Sequence, residues 1–433
     1  MFDTKGLPAI EVEVLLEGGS LGRAAAPGGT SRGKSEAFDL RDGDQSYFNG
    51  MGVFKAIRNV NTEIAEQLHG RNAILQEEID RLLINLDGTV NKSRLGGNAI
   101  IATSIANAKA AALAQGMQLF EFLGGGNEIP LLIIYVMFGG PAFVGLPGVC
   151  DFQEYNLIPL SAEGVRQAFV SCYRIQKRLV YRLARKNRTG VPKYNKIAGM
   201  LTAQFGSNDE ALRVMTEAIQ EEGFIPGKDF AIYTDIAANE LYRDGRYHLQ
   251  AEGKVLTTGE MIDYLEMLCQ RFPILCLEDC LYEEDWEGWR HLTERLGRKV
   301  QLIGDDLFVT NRGRLVKGIE RGAANALVIK PNQIGTLTET LETIEEAKKA
   351  HYGTIISVRS GELWDPYLVH LCVGQNLGQG KIVGAYASGE ANANELLRVE
   401  DHLGNRAMYR GKVVLSTFLN GLSSHSKNRQ KQG

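Results

Sequence analysis

Asp235, Glu278 and Asp305 each close a short apolar run, and Lys330 and Arg359 close the two runs that follow. The runs are Phe230–Asp235, Ile274–Glu278, Val300–Asp305, Ala326–Lys330 and Thr354–Arg359, with roughly 25 to 45 residues between successive polar ends. A single aspartate at a strand end usually caps the next helix. Three carboxylates in successive units, followed by a lysine in the same place, are a different pattern. Oxygen ligands on rigid neighbouring strands, with room for water and substrate, suit Mg2+, a hard cation that dehydrates reluctantly. Lys330 is a candidate general base, because burial and nearby positive charge both disfavour an ammonium and are expected to lower its pKa. The plainer reading is a lysine paired with one of the carboxylates. Arg359 and Ser360 would offer a fork of donors to an anionic oxyacid.

The segments between these runs have helical spacing. Thr257-Thr-Gly-Glu260 precedes Met261, Ile262, Tyr264 and Leu265, and Thr336-Leu-Thr-Glu339 precedes Leu341, Ile344 and Ala347. Both open with the Thr-x-x-Glu capping pattern. Strand, helix, strand at this interval predicts a parallel sheet with crossover helices, and reactive residues at strand ends predict the C-terminal face of a (β/α) barrel. The first part of the chain reads differently. Alternating Ile10, Val12 and Val14, then Leu21 to Ala25, predict an antiparallel meander. A Gly-rich stretch follows, and helices are expected over Gly52–Leu68, Gln76–Leu86 and Asn98–Leu123. This divides the chain into an α+β N-terminal cap domain over 1–125, a barrel over 126–420 that begins near Pro130, and a polar, basic tail over 421–433 expected to be disordered.

A chain of 433 residues with 44% hydrophobic content can bury a large core, and a net charge of −4 gives no global attraction to nucleic acid or membrane. Six cysteines show no C-x-x-C pair, which fits free thiols and a cytoplasmic setting better than a disulfide framework. Cys276 and Cys280 flank Glu278 and Asp279 and are read as thiols beside a buried strand. The N-terminus lacks a signal pattern, and no apolar stretch approaches the roughly 18 residues of a membrane span. From Arg166 to Lys196 lie Arg174, Lys177, Arg178, Arg182, Arg185, Lys186, Arg188 and Lys193, with no acid. This is either the solvated face of a helix or an anion-binding wall at the site.

The strand-end residues, taken with the stretches around them, resemble the enolase family, the phosphopyruvate hydratases. The resemblance rests on Glu11-Val-Glu-Val14, Arg41-Asp-Gly-Asp44, Leu86-Asp-Gly-Thr89, Asn91-Lys-Ser-Arg94, Asp285-Trp-Glu-Gly-Trp289, Gly304-Asp-Asp-Leu-Phe-Val-Thr-Asn311 and Asn332-Gln-Ile-Gly-Thr-Leu-Thr-Glu339, in order from about residue 3 to about 410. It implies an enolase-type (β/α)8 barrel preceded by the cap. It implies metal ligands at Asp235, Glu278 and Asp305, a second-metal serine at Ser31, and catalytic roles for Lys330 and Glu154. Substrate-binding roles fall on Arg359, Ser360 and Gln153, and on Lys381, one or two positions out of register. A homodimer, Mg2+ and a first strand beginning before Met1 are implied in the same way.

The departures cluster in the site. The family's second catalytic glutamate is replaced by Ala198, with no acid between Glu163 and Asp209. Its substrate-loop histidine is absent from Pro141-Ala142-Phe143, in a loop about three residues longer, and the histidine before the Arg-Ser pair is Val358. Proton removal needs metal charge and a base, which persist. Expulsion of hydroxide needs an acid, a contribution worth roughly 10²–10⁴-fold. The resemblance therefore implies a divergent carbon-oxygen lyase or related transferase. It would act on a small phosphorylated or phosphonylated acid resembling 2-phosphoglycerate, as in carboxyphosphonoenolpyruvate formation in phosphonate biosynthesis. The rival expectations are an inactive enolase-fold scaffold and an ordinary phosphopyruvate hydratase.

Overall fold

The computed structural model describes residues 1–29, 33–140, 149–186, 201–202, 204–384 and 389–416. The cap begins with a hairpin of β1 (Glu11–Leu15) and β2 (Leu21–Ala25), paired from Glu11 opposite Ala25 to Leu15 opposite Leu21. Among the described residues the expected meander is this two-stranded hairpin. Two helices follow that matter to the site, α1 (Gln76–Asp87) and α2 (Gly97–Ala114). α2 is built of Ala, Ile, Gly and small polar residues and is buried nearly throughout, so the hairpin can lie directly on it. Gly22 makes that approach possible: a Cβ there would sit 2.0 Å from the Ala106 carbonyl oxygen. The helix expected over Asn98–Leu123 is in fact two, since Gly116 turns the chain with φ +66° before a short helix over Leu119–Phe122.

The barrel strands are β3 (Leu131–Phe138), β4 (Glu154–Pro159), β5 (Phe230–Asp235), β6 (Ile274–Glu278), β7 (Gln301–Gly304), β8 (Ala326–Ile329), β9 (Gly353–Ser357) and β10 (Gly378–Gly384). They pair in sequence order, and β10 returns to β3, closing an eight-stranded barrel. Strands covered on both faces read as continuous apolar runs, as in the wholly buried Leu-Leu-Ile-Ile-Tyr-Val-Met-Phe of β3. From β5 to β10 every pairing is parallel, as the strand-helix-strand interval predicts. β4 departs from this pattern. It runs antiparallel to both β3 and β5, so its first residue, Glu154, lies opposite Asp235, the last of β5.

The connecting helices include α3 (Val165–Lys186), α4 (Asn208–Glu221), α5 (Thr258–Arg271) and α6 (Leu337–Lys349). The two capping patterns form as the sequence predicts. Thr257 and Thr336 each accept a hydrogen bond from the amide of Glu260 or Glu339, and each glutamate carboxylate accepts one back from its threonine. All six cysteines are buried free thiols. No helix among the described residues is long and apolar enough to cross a membrane.

The cap is fastened over the C-terminal ends of β8 and β9. The Ala37 amide donates to the Gln333 carbonyl at 2.7 Å, Asn332 Nδ2 donates to the Pro27 carbonyl at 3.2 Å, and Gly28 bridges Gly361. Lys92 pairs with Glu339 at 3.0 Å. The most enclosed fastening is Asp80 of α1, which accepts the Thr338 amide at 2.8 Å and the Thr338 hydroxyl at 2.7 Å at the start of α6. Asp80→Ala strands both donors in a buried place and is expected to lower stability by about 2–3 kcal/mol in urea unfolding. A change under about 0.5 kcal/mol would show that this fastening carries no stability.

Candidate active site

Because β4 is reversed and β5 and β6 are not, three carboxylates reach one point at the barrel mouth. Glu154, Asp235 and Glu278 are all buried, with ligand oxygens within 4.8 Å of one another. Burial opposes ionisation of Asp235, and Glu278 adds to the effect, so its carboxyl is pushed well above the usual range; Glu278 is pushed up as well, chiefly by burial. Glu278 receives the Tyr233 hydroxyl and the Lys381 ammonium on Oε2, while its buried Oε1 has no hydrogen-bond partner.

Asp305 stands beside this trio rather than within it. Its oxygens fall within 4.8 Å of those of Asp279 and Asp306. Asp279 spends both of its oxygens on the backbone amides of Asp305 and Asp306, at 2.9 and 3.0 Å, and so shapes the turn that presents Asp305. Asp305 accepts Lys330 Nζ on one oxygen and Gln333 Nε2, at 2.8 Å, on the other. Burial works against its ionisation, yet Lys330 and Arg359 hold it below the usual carboxylate range.

Lys330 follows β8 and forms the ion pair that the plainer reading allowed. Burial is the largest single influence and disfavours its ammonium, but Asp305 and Glu278 together more than offset it, and its pKa lies above the ordinary lysine value. Lys330 thus sits next to an anion, which favours its protonated form. Lys381, in β10, is 1% exposed and is brought fully into the site. Its Nζ contacts Glu278, lies 3.2 Å from Glu154 Oε2 and 3.9 Å from Asp235 Oδ2, and sits between the rings of Tyr135 and Tyr233. Gln153 donates to Asp235 Oδ2 at 3.3 Å, and Asn156 donates to Glu154 Oε2 at 2.9 Å.

The fit to a divalent cation follows from counting charges. Four buried carboxylates (Glu154, Asp235, Glu278 and Asp305) face two ammonium groups, Lys330 and Lys381. When all four are ionised, the state a bound cation would favour, two negative charges are left over, and the partnerless Glu278 Oε1 marks where they are least satisfied. An all-oxygen donor set with two surplus charges suits Mg2+. Glu154, Asp235 and Glu278 are the three whose oxygens could share one ion, and Asp305, the third ligand expected from the sequence, lies beside them in a group with Asp279 and Asp306.

Arg359 and Ser360 follow β9. Arg359 is buried and donates to Glu36 of the cap at 3.1 Å, and the Ser360 carbonyl accepts the Thr4 hydroxyl at 3.4 Å. Val358 is half-buried and packs against the apolar core, leaving no ionisable group there. Ser31, Ala142 and Ala198 lie outside the described residues. The basic run resolves toward the helix-face reading. Arg174, Arg178, Arg182 and Lys186 of α3 pair with Glu222, Glu221, Glu217 and Glu210 on or just past α4, on the outside of the barrel. Arg188 and Lys193 of that run are outside the described residues.

Residues 1–123 match the enolase N-terminal domain, and residues 128–417 match the enolase C-terminal TIM barrel domain. The chain belongs to the enolase family. The site also uses residues that strand-end reasoning passed over. Glu36, Asp279, Gln333 and Tyr233 are buried and bonded to the predicted residues. Gln333 and Asp306 stood within stretches that carry the resemblance, but neither ends an apolar run, so the strand-end signal missed them.

Lys381→Met removes the central ammonium from beneath three carboxylates. Without divalent ions it is expected to destabilise the protein by about 3–5 kcal/mol. Saturating Mg2+ should recover at least half of that loss in urea unfolding, because bound cation restores the charge balance. Equal losses with and without Mg2+ would show that these carboxylates do not bind it.

Proposed function

We propose that this member of the enolase family is a Mg2+-dependent enzyme that removes the proton beside the carboxylate of a small phosphorylated or phosphonylated acid. Lys330 is its base. The observation that carries the reading is the meeting, at one barrel mouth, of a surplus of buried carboxylates, two lysines and a buried arginine. Asp235, Glu278 and Asp305 would hold Mg2+, with Ser31 for a second ion, and the metal would supply positive charge beside the substrate carboxylate. Once Asp305 is engaged elsewhere, Lys330 releases its ammonium proton to solvent and the neutral amine accepts the α-proton, while the electron pair of the broken C–H bond moves onto the carboxylate. Lys381 and Gln153 orient that carboxylate. Arg359 and Ser360 take the phosphoryl or phosphonyl oxygens, for which a planar fork is well shaped. Glu154 is the acidic group left to move a proton on the opposite side.

With Ala198 in place of the second glutamate and Val358 beside Arg359, the second half of the hydratase reaction lacks its acid. A rebuilt phosphate pocket above a kept metal site supports chemistry on a phosphonylated acid, such as carboxyphosphonoenolpyruvate formation in phosphonate natural-product biosynthesis. The expected assembly is a homodimer in the cytoplasm.

Two experiments test this. In D2O with Mg2+, candidate acids should gain one mass unit by exchange of the α-proton, and Lys330→Ala should abolish the gain. Absence of exchange over a broad panel of acids, with metal bound by calorimetry, would favour a scaffold that only binds. Dehydration of 2-phosphoglycerate, followed by ultraviolet absorbance, should run at least about 10²-fold slower than in an ordinary enolase. Turnover at the ordinary rate would mean that another group supplies the proton to the departing hydroxide.

A further inference from the structure

Glu36 has no part in the chemistry above, yet it is one of the most enclosed carboxylates of the cap, at 9% exposure. One oxygen, Oε1, gathers three donors: the Gly33 amide at 3.1 Å, Arg359 Nη1 at 3.1 Å and, more distantly, Gln333 Nε2 at 3.5 Å. Gln333 in turn holds Asp305 at 2.8 Å. The cap strand beside it is shaped to the same guanidinium. A Cβ on Gly29 would stand 1.7 Å from Arg359 Nη2, so a larger residue there would push that branch of the fork aside. Arginine has a long, rotatable stem, and its worth as an anion clamp depends on that stem being held in one geometry.

We infer that Glu36 is a positioning residue of the anion-binding corner. Through Oε1 it fixes the reach and orientation of Arg359, and so sets the affinity for the substrate's anionic group. This rests on the reading of Arg359 as the group that takes that anion. A carboxylate that merely neutralised Arg359 would compete with the anion and weaken its binding. The two roles therefore predict opposite effects.

The test is calorimetric titration of the full-length protein, saturated with Mg2+, with inorganic phosphate. Thermal unfolding of each variant serves as a folding control. Glu36→Ala should weaken phosphate binding at least about 10-fold in the wild-type background and by no more than about 2-fold in Arg359→Ala, since its effect passes through Arg359. Glu36→Asp keeps the charge but is one methylene too short, and should lose binding as alanine does. Glu36→Gln keeps both the length and the accepting oxygen, and should stay within about 3-fold of wild type. The Asp and Gln pair decides the matter where alanine does not fold. Unchanged or tighter binding in Glu36→Ala, or recovery by Asp rather than Gln, overturns the inference and leaves the reading of Arg359 standing. Phosphate binding that survives Arg359→Ala undiminished overturns both.

Discussion

The barrel mouth is governed by negative charge buried where bulk solvent screens it little. Burying a carboxylate is costly unless it is paired, and here four are buried around two lysines. Every nearby feature answers to that imbalance. Tyr233, Gln153, Asn156 and Gln333 each turn a donor onto one of these carboxylates, and Asp279 fixes the backbone that presents Asp305. The barrel strands, apolar on both faces, provide the rigid base that keeps like charges close without letting them relax apart.

The cap contributes to the same end from the other side. Its fastening to the barrel is polar and buried at Asp80 and Thr338, and polar again where Ala37 and Asn332 cross between the two parts. Directional bonds of this kind fix register more tightly than apolar contact does, which matters when Glu36 and Gly29 must meet Arg359 within tenths of an ångström.

Much of this was legible in the sequence because burial on both faces forces strands into continuous apolar runs. A polar residue at the end of such a run is conspicuous, and Asp235, Glu278, Asp305, Lys330 and Arg359 were found that way. The helix caps at Thr257 and Thr336 were legible for a similarly local reason. What escaped depends on long-range geometry. The reversed direction of β4 leaves no mark in its composition, and Glu154 was reached only through family resemblance. Glu36 lies in a loop 323 residues from its partner Arg359, with no periodicity to announce it. The ion pair of Lys330 with Asp305 is the pairing that the plainer reading of the sequence allowed, though that reading did not say which carboxylate would supply it.

The reversal of β4 has a consequence for how such a site can change. In a fully parallel barrel the segment joining two strands starts at the mouth and ends at the floor, so only its first part can line the site. Here the segment from Phe138 to Glu154 leaves β3 at the mouth and enters β4 at the mouth. Both ends of that connection therefore lie at the barrel mouth. Residues can be added or exchanged there while the hydrogen-bond ladders on either side keep their register. New substrate preferences can thus be tried in this one stretch, at little cost to the rest of the wall.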